Sequence, residues 1–230
     1  MTVPGKLTKI AQVLDRQYGP RTPSRRRRDP LDELILTTLS QNTSDTNSLR
    51  AFQSLKRILP TWEEVLAAPM PKLVEAIRSG GLANVKAPRI RAILAQIHRE
   101  QRHFDLSFLR DLPAAEARAY LARFPGVGPK TIACVMLFAL GRPAFPVDTH
   151  VFRVAKRLGL LDGVGTPEKA QAYFERVVPA AQHYALHLHF IAHGRRVCKA
   201  QRPLCPQCAL RGLCDYARQA RPTGSRALSR

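Results

Sequence analysis

Four cysteines near the C-terminus, Cys198, Cys205, Cys208 and Cys214, constrain this chain more than any other feature. Their spacing is C-x6-C-x2-C-x5-C, one close pair with a single sulfur on either side. A structural zinc ion usually takes two close pairs, each forming one knuckle of a tetrahedron. A cubane iron–sulfur cluster is larger than one ion, so a longer loop can wrap it. The spacing therefore favours a [4Fe-4S] cluster over zinc, with these four thiolates as its ligands. A disulfide framework would strand the fifth cysteine, Cys134, and nothing at the N-terminus reads as a signal peptide. There is no ferredoxin-type C-x2-C-x2-C run and no second cysteine set, so the cluster reads as a staple for a basic loop. Arg195, Arg196, Lys199, Arg202 and Arg211 lie in or beside that loop. Ligation would hold Lys199 and Arg202 in fixed places, as phosphate recognition requires.

The charge balance points to the same kind of partner. Of 230 residues, 37 are Lys or Arg and 17 are Asp or Glu, a formal charge of +20. Such an excess repels itself and is best balanced by a polyanion. Membranes are polyanionic too, but no apolar stretch approaches the roughly 18 residues that a span needs. Nucleic acid is the expected partner, bound with a steep salt dependence, and no membrane is expected. The length allows one large domain or two modest ones. A monomer in the cytoplasm, associated with the nucleoid, is expected.

Periodicity is helical almost throughout. Leu7, Ile10, Ala11 and Leu14 mark a first amphipathic helix, and the run Arg25 to Arg28 reads as a linker. Leu31, Leu34, Ile35 and Leu39 make a second helix that ends in the polar run Ser40 to Ser44. Thr61 and Glu64 form a capping box. Gly80-Gly81 closes the Leu73 to Ile77 helix, and Ile90, Ile93, Leu94 and Ile97 carry the next. No segment alternates long enough to make a strand. The fold class is all-α. An N-terminal helix and linker over 1–28 is expected to pack with a C-terminal lobe over 141–215. A central lobe spans 29–140, and a flexible basic tail runs over 216–230.

The stretch from Leu121 to Leu140 reads helix, hairpin, helix. Pro125 ends the first helix, and Gly126 and Gly128 permit backbone geometry closed to other residues. Pro129 sits at the first helical position, where its missing N–H costs nothing. Exposed N–H groups in the Gly126-Val127-Gly128 turn can take a phosphate oxygen without regard to base. Lys130 follows in the first turn of the second helix, expected to run to Leu140. The positive end of a helix disfavours an ammonium group, so a neutral, nucleophilic amine has a reason to be there. A lysine that merely grips phosphate is the plainer alternative. Asp148 precedes the helical run Val151, Val154, Ala155 and Leu158 and is placed as its N-cap. One carboxylate oxygen can cap while the other does chemistry.

Together the hairpin, the segment Val147-Asp148-Thr149-His150-Val151-Phe152-Arg153-Val154, and the cysteine loop behind His193-Gly194-Arg195 resemble the endonuclease III family of DNA glycosylases. The resemblance covers about Leu31 to Cys214. It implies a helix-hairpin-helix glycosylase fold, with a six-helix barrel lobe and a second helical lobe carrying the cluster. It also implies a double-stranded DNA partner containing damaged bases or abasic sites. Lys130 and Asp148 match the family's catalytic residues. The nucleotide is flipped out, because a stacked base hides its sugar. In the family mechanism that the resemblance implies, the Lys130 amine would then attack C1′ while Asp148 assists its deprotonation and stabilises charge on the sugar. By the same resemblance the base would leave, a Schiff base would remain, and β-elimination would nick the strand. Gln41 or Asn42, together with Leu82, matches the family's DNA-inserted loops, and His150 falls within the family motif.

Departures from the family pattern are Ala83, where relatives carry an aromatic residue lining the lesion pocket, and Ala122, where some carry a glutamate. Oxidised pyrimidines are the leading expected substrates, followed by abasic sites. A monofunctional base-excising enzyme and a non-catalytic DNA-binding protein are the competing readings. Cys134 reads as a small apolar residue packed in the hairpin's second helix, and His183, His187 and His189 read as helix-surface and packing residues.

Overall fold

The computed structural model of the protein describes residues 2–24 and 27–219. Arg25 and Arg26 of the basic run, and the tail beyond 219, lie outside the described residues. Every regular element among the described residues is helical. The chain divides into two units, one formed by residues 24–146 and the other by 2–23 with 147–219.

Helix α1 (Val3–Tyr18) opens the chain and buries Leu7, Ile10 and Leu14. The 24–146 unit begins with α2 (Pro30–Leu39). Asp29 caps it, its carboxylate accepting from the N–H groups of Leu31 at 2.9 Å and Asp32 at 3.0 Å. Pro30 occupies the first position without losing a bond. Next come α3 (Asp45–Ile58) and α4 (Trp62–Ala67), where both bonds of the Thr61–Glu64 capping box form. Helix α5 (Met70–Ala76) leads through a short turn to α6 (Ala83–Gln101). The stripe Ile90, Ile93, Leu94 and Ile97 of α6 is fully buried. Helix α7 (Ala114–Ala122), the hairpin and α8 (Pro129–Cys134) complete the unit.

Helix α8 departs from the expected Lys130–Leu140 span. It stays α-helical only to Cys134 and then widens into a π segment over Val135–Ala139. The Leu140 N–H reaches the Val135 carbonyl at 3.0 Å. Nearly every side chain from Thr131 to Ala139 is buried, so this segment is packed on all sides, and its hydrogen bonds span one residue more than in an α-helix.

Residues 27–28 and 141–146 pack with the central helices. Arg28 pairs with the buried Glu33 at 2.7 Å, and Arg142 donates to the Arg110 carbonyl at 2.6 Å. Gly141 has φ +66, and a Cβ there would collide with the Arg27 guanidinium.

In the other unit α1 is joined by α9 (Thr149–Arg157), α10 (Pro167–Val177), α11 (His183–Arg196) and α12 (Asp215–Gln219). The tail expected from 216 therefore starts as a helical turn. There the Arg157 guanidinium sits 4.8 Å from the Tyr216 ring centroid. The Lys6 ammonium reaches Asp215 at 2.9 Å, tying the first helix to the last. His183, His187 and His189 are all buried, so none is a helix-surface residue. His183 Nε2 meets the Val178 carbonyl and His189 Nε2 the Gly19 carbonyl, each at 2.9 Å.

Candidate functional site

In the 24–146 unit the hairpin is set by one glycine. Gly126 has φ +73, which an L side chain rarely adopts, and a Cβ there would strike the Arg89 guanidinium. Gly128 is different. Its backbone is extended (φ −98, ψ −179), and nothing lies within 4 Å of the place a Cβ would take. The Val127 N–H turns inward to the Phe124 carbonyl at 3.2 Å, and the Val127 side chain is buried. Val127 thus packs the turn, and among the described residues no backbone carbonyl accepts from the N–H of Gly126 or Gly128.

Lys130 is half-buried at the second position of α8. Among the described residues its one hydrogen bond is to Ser40 Oγ at 3.4 Å, and no carboxylate pairs with it. The Ser40 hydroxyl donates to the Thr37 carbonyl at 2.7 Å, so it presents lone pairs to Nζ. The nearest buried acid on α2 is Glu33, 4% exposed, held by Arg28 at 2.7 Å and the Thr37 hydroxyl at 3.2 Å. Burial raises the Glu33 pKa; Arg28 and, more weakly, Lys130 oppose the rise.

The two loop candidates behave differently. The Gln41 side chain is occupied: its Nε2 donates to the Gly126 carbonyl at 3.2 Å and its Oε1 accepts from Arg89 at 2.5 Å. Asn42 is exposed at the tip of the turn, with φ 53. Leu82 also has a left-handed backbone, φ 51, and is 54% exposed, so it is no core residue. Lys86 was not anticipated from the sequence. It is 2% exposed and donates to the Leu39 carbonyl at 2.6 Å and the Gly80 carbonyl at 2.8 Å. Its place on the Ile90–Ile93–Ile97 stripe is the one sequence signal that could have revealed it.

In the other unit Asp148 caps α9, its Oδ1 accepting from the Val151 N–H at 2.7 Å. Among the described residues the second carboxylate oxygen has no partner. The His150 ring accepts from Arg153 at 3.1 Å, and Arg153 also holds the Gly194 carbonyl at 2.8 Å and the Cys198 carbonyl at 3.0 Å. One turn on, Arg157 donates to the Lys199 carbonyl at 2.6 Å, the Ala200 carbonyl at 2.9 Å and Cys198 Sγ at 3.4 Å. These two arginines set the start of the cysteine loop, and their i, i+4 spacing was the overlooked sequence signal. Lys199 and Arg202 are exposed on that loop, Arg202 with φ 49.

Cys198, Cys205, Cys208 and Cys214 line one pocket, with Val154, Leu158 and His193 beside them. All four are free thiols. Burial pushes the Cys208 and Cys214 thiols up, and the charges of the neighbouring cysteines push the same way. Four such sulfurs hold negative charge together only around a cationic core. Among the described residues no three His, Cys, Asp or Glu groups converge on one ion. His193 Nε2 lies 3.6 Å from Cys208 Sγ, and Tyr18 Oη 3.0 Å from His193 Nδ1.

Comparison with known proteins agrees with this reading. Residues 35–180 match the model of the HhH-GPD superfamily base excision DNA repair proteins. A candidate DNA glycosylase of Arabidopsis thaliana is 42% identical over 165 residues, spanning 72% of this chain and 56% of that longer protein. Endonuclease III of Thermotoga maritima is 32% identical over 211 residues, covering 91% of this chain and 94% of the relative. The structure of a trapped endonuclease III–DNA covalent intermediate superposes with a TM-score of 0.81 at 29% identity, over 95% of this chain and 98% of that one. The chain belongs to the HhH-GPD superfamily of base excision DNA repair proteins, as a member of its endonuclease III family.

Proposed function

We propose that this protein is a DNA glycosylase and AP lyase of base excision repair, acting on damaged bases and abasic sites in double-stranded DNA. The observation that carries the proposal is the Lys130 amine. It stands behind a glycine hairpin, meets a serine hydroxyl at 3.4 Å, and has no carboxylate partner among the described residues. A lysine kept for stability is normally neutralised or solvated. One held half-buried against a neutral hydroxyl, with no carboxylate to neutralise it, is placed to serve as a nucleophile.

The target nucleotide leaves the stack so that its sugar is reachable. Nζ forms a bond to C1′ as the N-glycosidic bond breaks, and the base departs with the bonding pair and takes up a proton. Asp148 removes the proton from the attacking amine and stabilises positive charge on the sugar; its uncapped oxygen is available for this. The sugar ring then opens as the C1′–O4′ bond breaks and O4′ takes up a proton, which leaves a Schiff base between Nζ and C1′; loss of its C2′ proton expels the 3′ phosphate and cuts the strand. Asn42 and Leu82 fill the gap left in the duplex, and the Gly126–Gly128 turn, His150, Lys199 and Arg202 hold its backbone.

A [4Fe-4S] cluster on Cys198, Cys205, Cys208 and Cys214 would cross-link the basic loop and fix Lys199 and Arg202 for phosphate contact. The donor set supports this, and so does the relationship to endonuclease III. Ala83 and Ala122 leave the lesion pocket less crowded and less acidic than in relatives with an aromatic residue and a glutamate there. Oxidised pyrimidines are the proposed bases. No helix among the described residues is long and apolar enough to cross a membrane. The proposed nucleoid location rests on the DNA partner.

The test is borohydride reduction during incubation with a lesion-bearing duplex. Wild-type protein should become covalently attached to the strand, and Lys130→Ala should not. Equal trapping by the variant would overturn the assignment. Base release with no nick before alkali would make the enzyme monofunctional.

A further inference from the structure

Two cations on α6 do work that the reaction described above does not use. Lys86 is buried, and among the described residues it has no acid partner. Its ammonium bridges two carbonyls that close separate turns. The Leu39 carbonyl ends α2 just before Ser40-Gln41-Asn42, and the Gly80 carbonyl lies just before Gly81-Leu82. Neither carbonyl can be satisfied inside its own helix end, so each would otherwise be a buried, unpaired acceptor. Arg89, one turn on, donates to Gln41 Oε1, while Gln41 Nε2 donates to the hairpin carbonyl of Gly126. The Arg89 guanidinium also fills the space that a Gly126 side chain would need. One face of one helix therefore reaches all three loops.

This arrangement is costly. Burial, and then the Arg89 charge, lower the Lys86 pKa, and like charges three residues apart repel on a helix. A neutral side chain could close either turn alone. A single ammonium with three donors can tie two distant chain segments to one point, and that is what the pair adds.

We propose that Lys86 and Arg89 are positioning residues for nucleotide extrusion: they fix the spacing of the Ser40–Asn42 turn, the Gly80–Leu82 turn and the Phe124–Gly128 hairpin, and leave Asn42 and Leu82 free to enter the duplex. The inference rests on the glycosylase reading, since only an enzyme that flips its substrate needs the wedge loops set in advance. Preorganised loops lower the barrier to extrusion because no ordering remains to be done in the DNA complex. Substrates that need no extrusion gain nothing from the brace.

Lys86→Met and Arg89→Met separate these roles. Single-turnover base excision is measured on a fully paired lesion duplex, with a 2-aminopurine reporter beside the lesion. Borohydride trapping is measured on an abasic site in a single-stranded oligonucleotide, and thermal melting reports the folded fraction. Each variant should excise at least tenfold more slowly from the duplex and lose the 2-aminopurine rise. Trapping on the single strand should stay within twofold of wild type. Parallel loss on both substrates would mean that the residues only hold the fold, and no loss on either would mean that they position nothing. Either result overturns the proposal. If Lys86→Met does not fold, Arg89→Met, at a half-buried position, decides between these outcomes alone. Wild-type protein that neither excised the base from the duplex nor trapped on the abasic strand would instead remove the glycosylase reading, and the inference with it.

Discussion

Gly126 and Gly128, two residues apart in the hairpin, should fail in opposite ways when each is given a methyl group. Gly126→Ala places an L residue at φ +73 and drives its Cβ into Arg89. The left-handed backbone costs about 1–2 kcal/mol. Displacing Arg89 also removes its bond to Gln41, worth about 1 kcal/mol at a half-exposed site. The sum is about 2–3 kcal/mol, or a melting temperature lower by about 5–10 °C for a chain of this size. Gly128→Ala meets nothing within 4 Å, and its extended backbone suits alanine. It should melt at or slightly above wild type, because alanine restricts the unfolded chain by about 0.4–1 kcal/mol. Yet if that open side of the turn is where the backbone approaches a phosphate, the methyl group should weaken binding about tenfold, or about 1.4 kcal/mol. Circular dichroism melts, and fluorescence anisotropy with a duplex containing a tetrahydrofuran abasic analogue, measure both quantities. Wild-type affinity in Gly128→Ala would refute the phosphate reading of the turn, and wild-type melting in Gly126→Ala would refute the strain argument.

Asp148→Asn should keep the α9 cap, since asparagine caps as well as aspartate, and hold stability within about 0.5 kcal/mol. Asp148→Ala should lose about 1 kcal/mol. Both should lose at least about 100-fold in single-turnover excision, as expected for a proton-transfer group; normal excision by the asparagine variant would make the carboxylate only a cap. Alanine at Lys199 or Arg202 should weaken binding across DNA sequences and flatten the salt dependence by about one unit of slope each, read from anisotropy titrations. The purified protein should be brown, absorb broadly near roughly 400 nm and yield about four irons with matching acid-labile sulfide. A colourless protein with one zinc would overturn the cluster. Glu33 supplies a pH test. Burial raises its folded pKa, so its stabilising contribution is full below about 4.5 and is lost as pH rises through the raised value. Urea melts at pH 5 and pH 8 should show wild type losing more stability on the way up than Glu33→Gln, and equal losses would count against the burial account.

The sequence by itself determined the elements whose causes lie within a few residues of one another. Asp29 and the Thr61–Glu64 pair cap their helices as their spacing requires, and Pro125, Gly126 and Pro129 make the hairpin. Lys130 begins a helix and Asp148 caps one, as the local pattern implies. The four cysteines come to one pocket because their loop is short. Only the tertiary structure decided what reaches across the chain. Lys86 finds a carbonyl 47 residues away, and Gln41 finds one 85 residues away. No periodicity or cap signal encodes such a meeting. The same packing pinned Gln41 and left Asn42 exposed, buried three histidines that a helix reading put partly on the surface, and widened α8 into a π segment. Helix propensity and capping act over about four residues, whereas a buried donor answers to whichever acceptor the fold brings beside it.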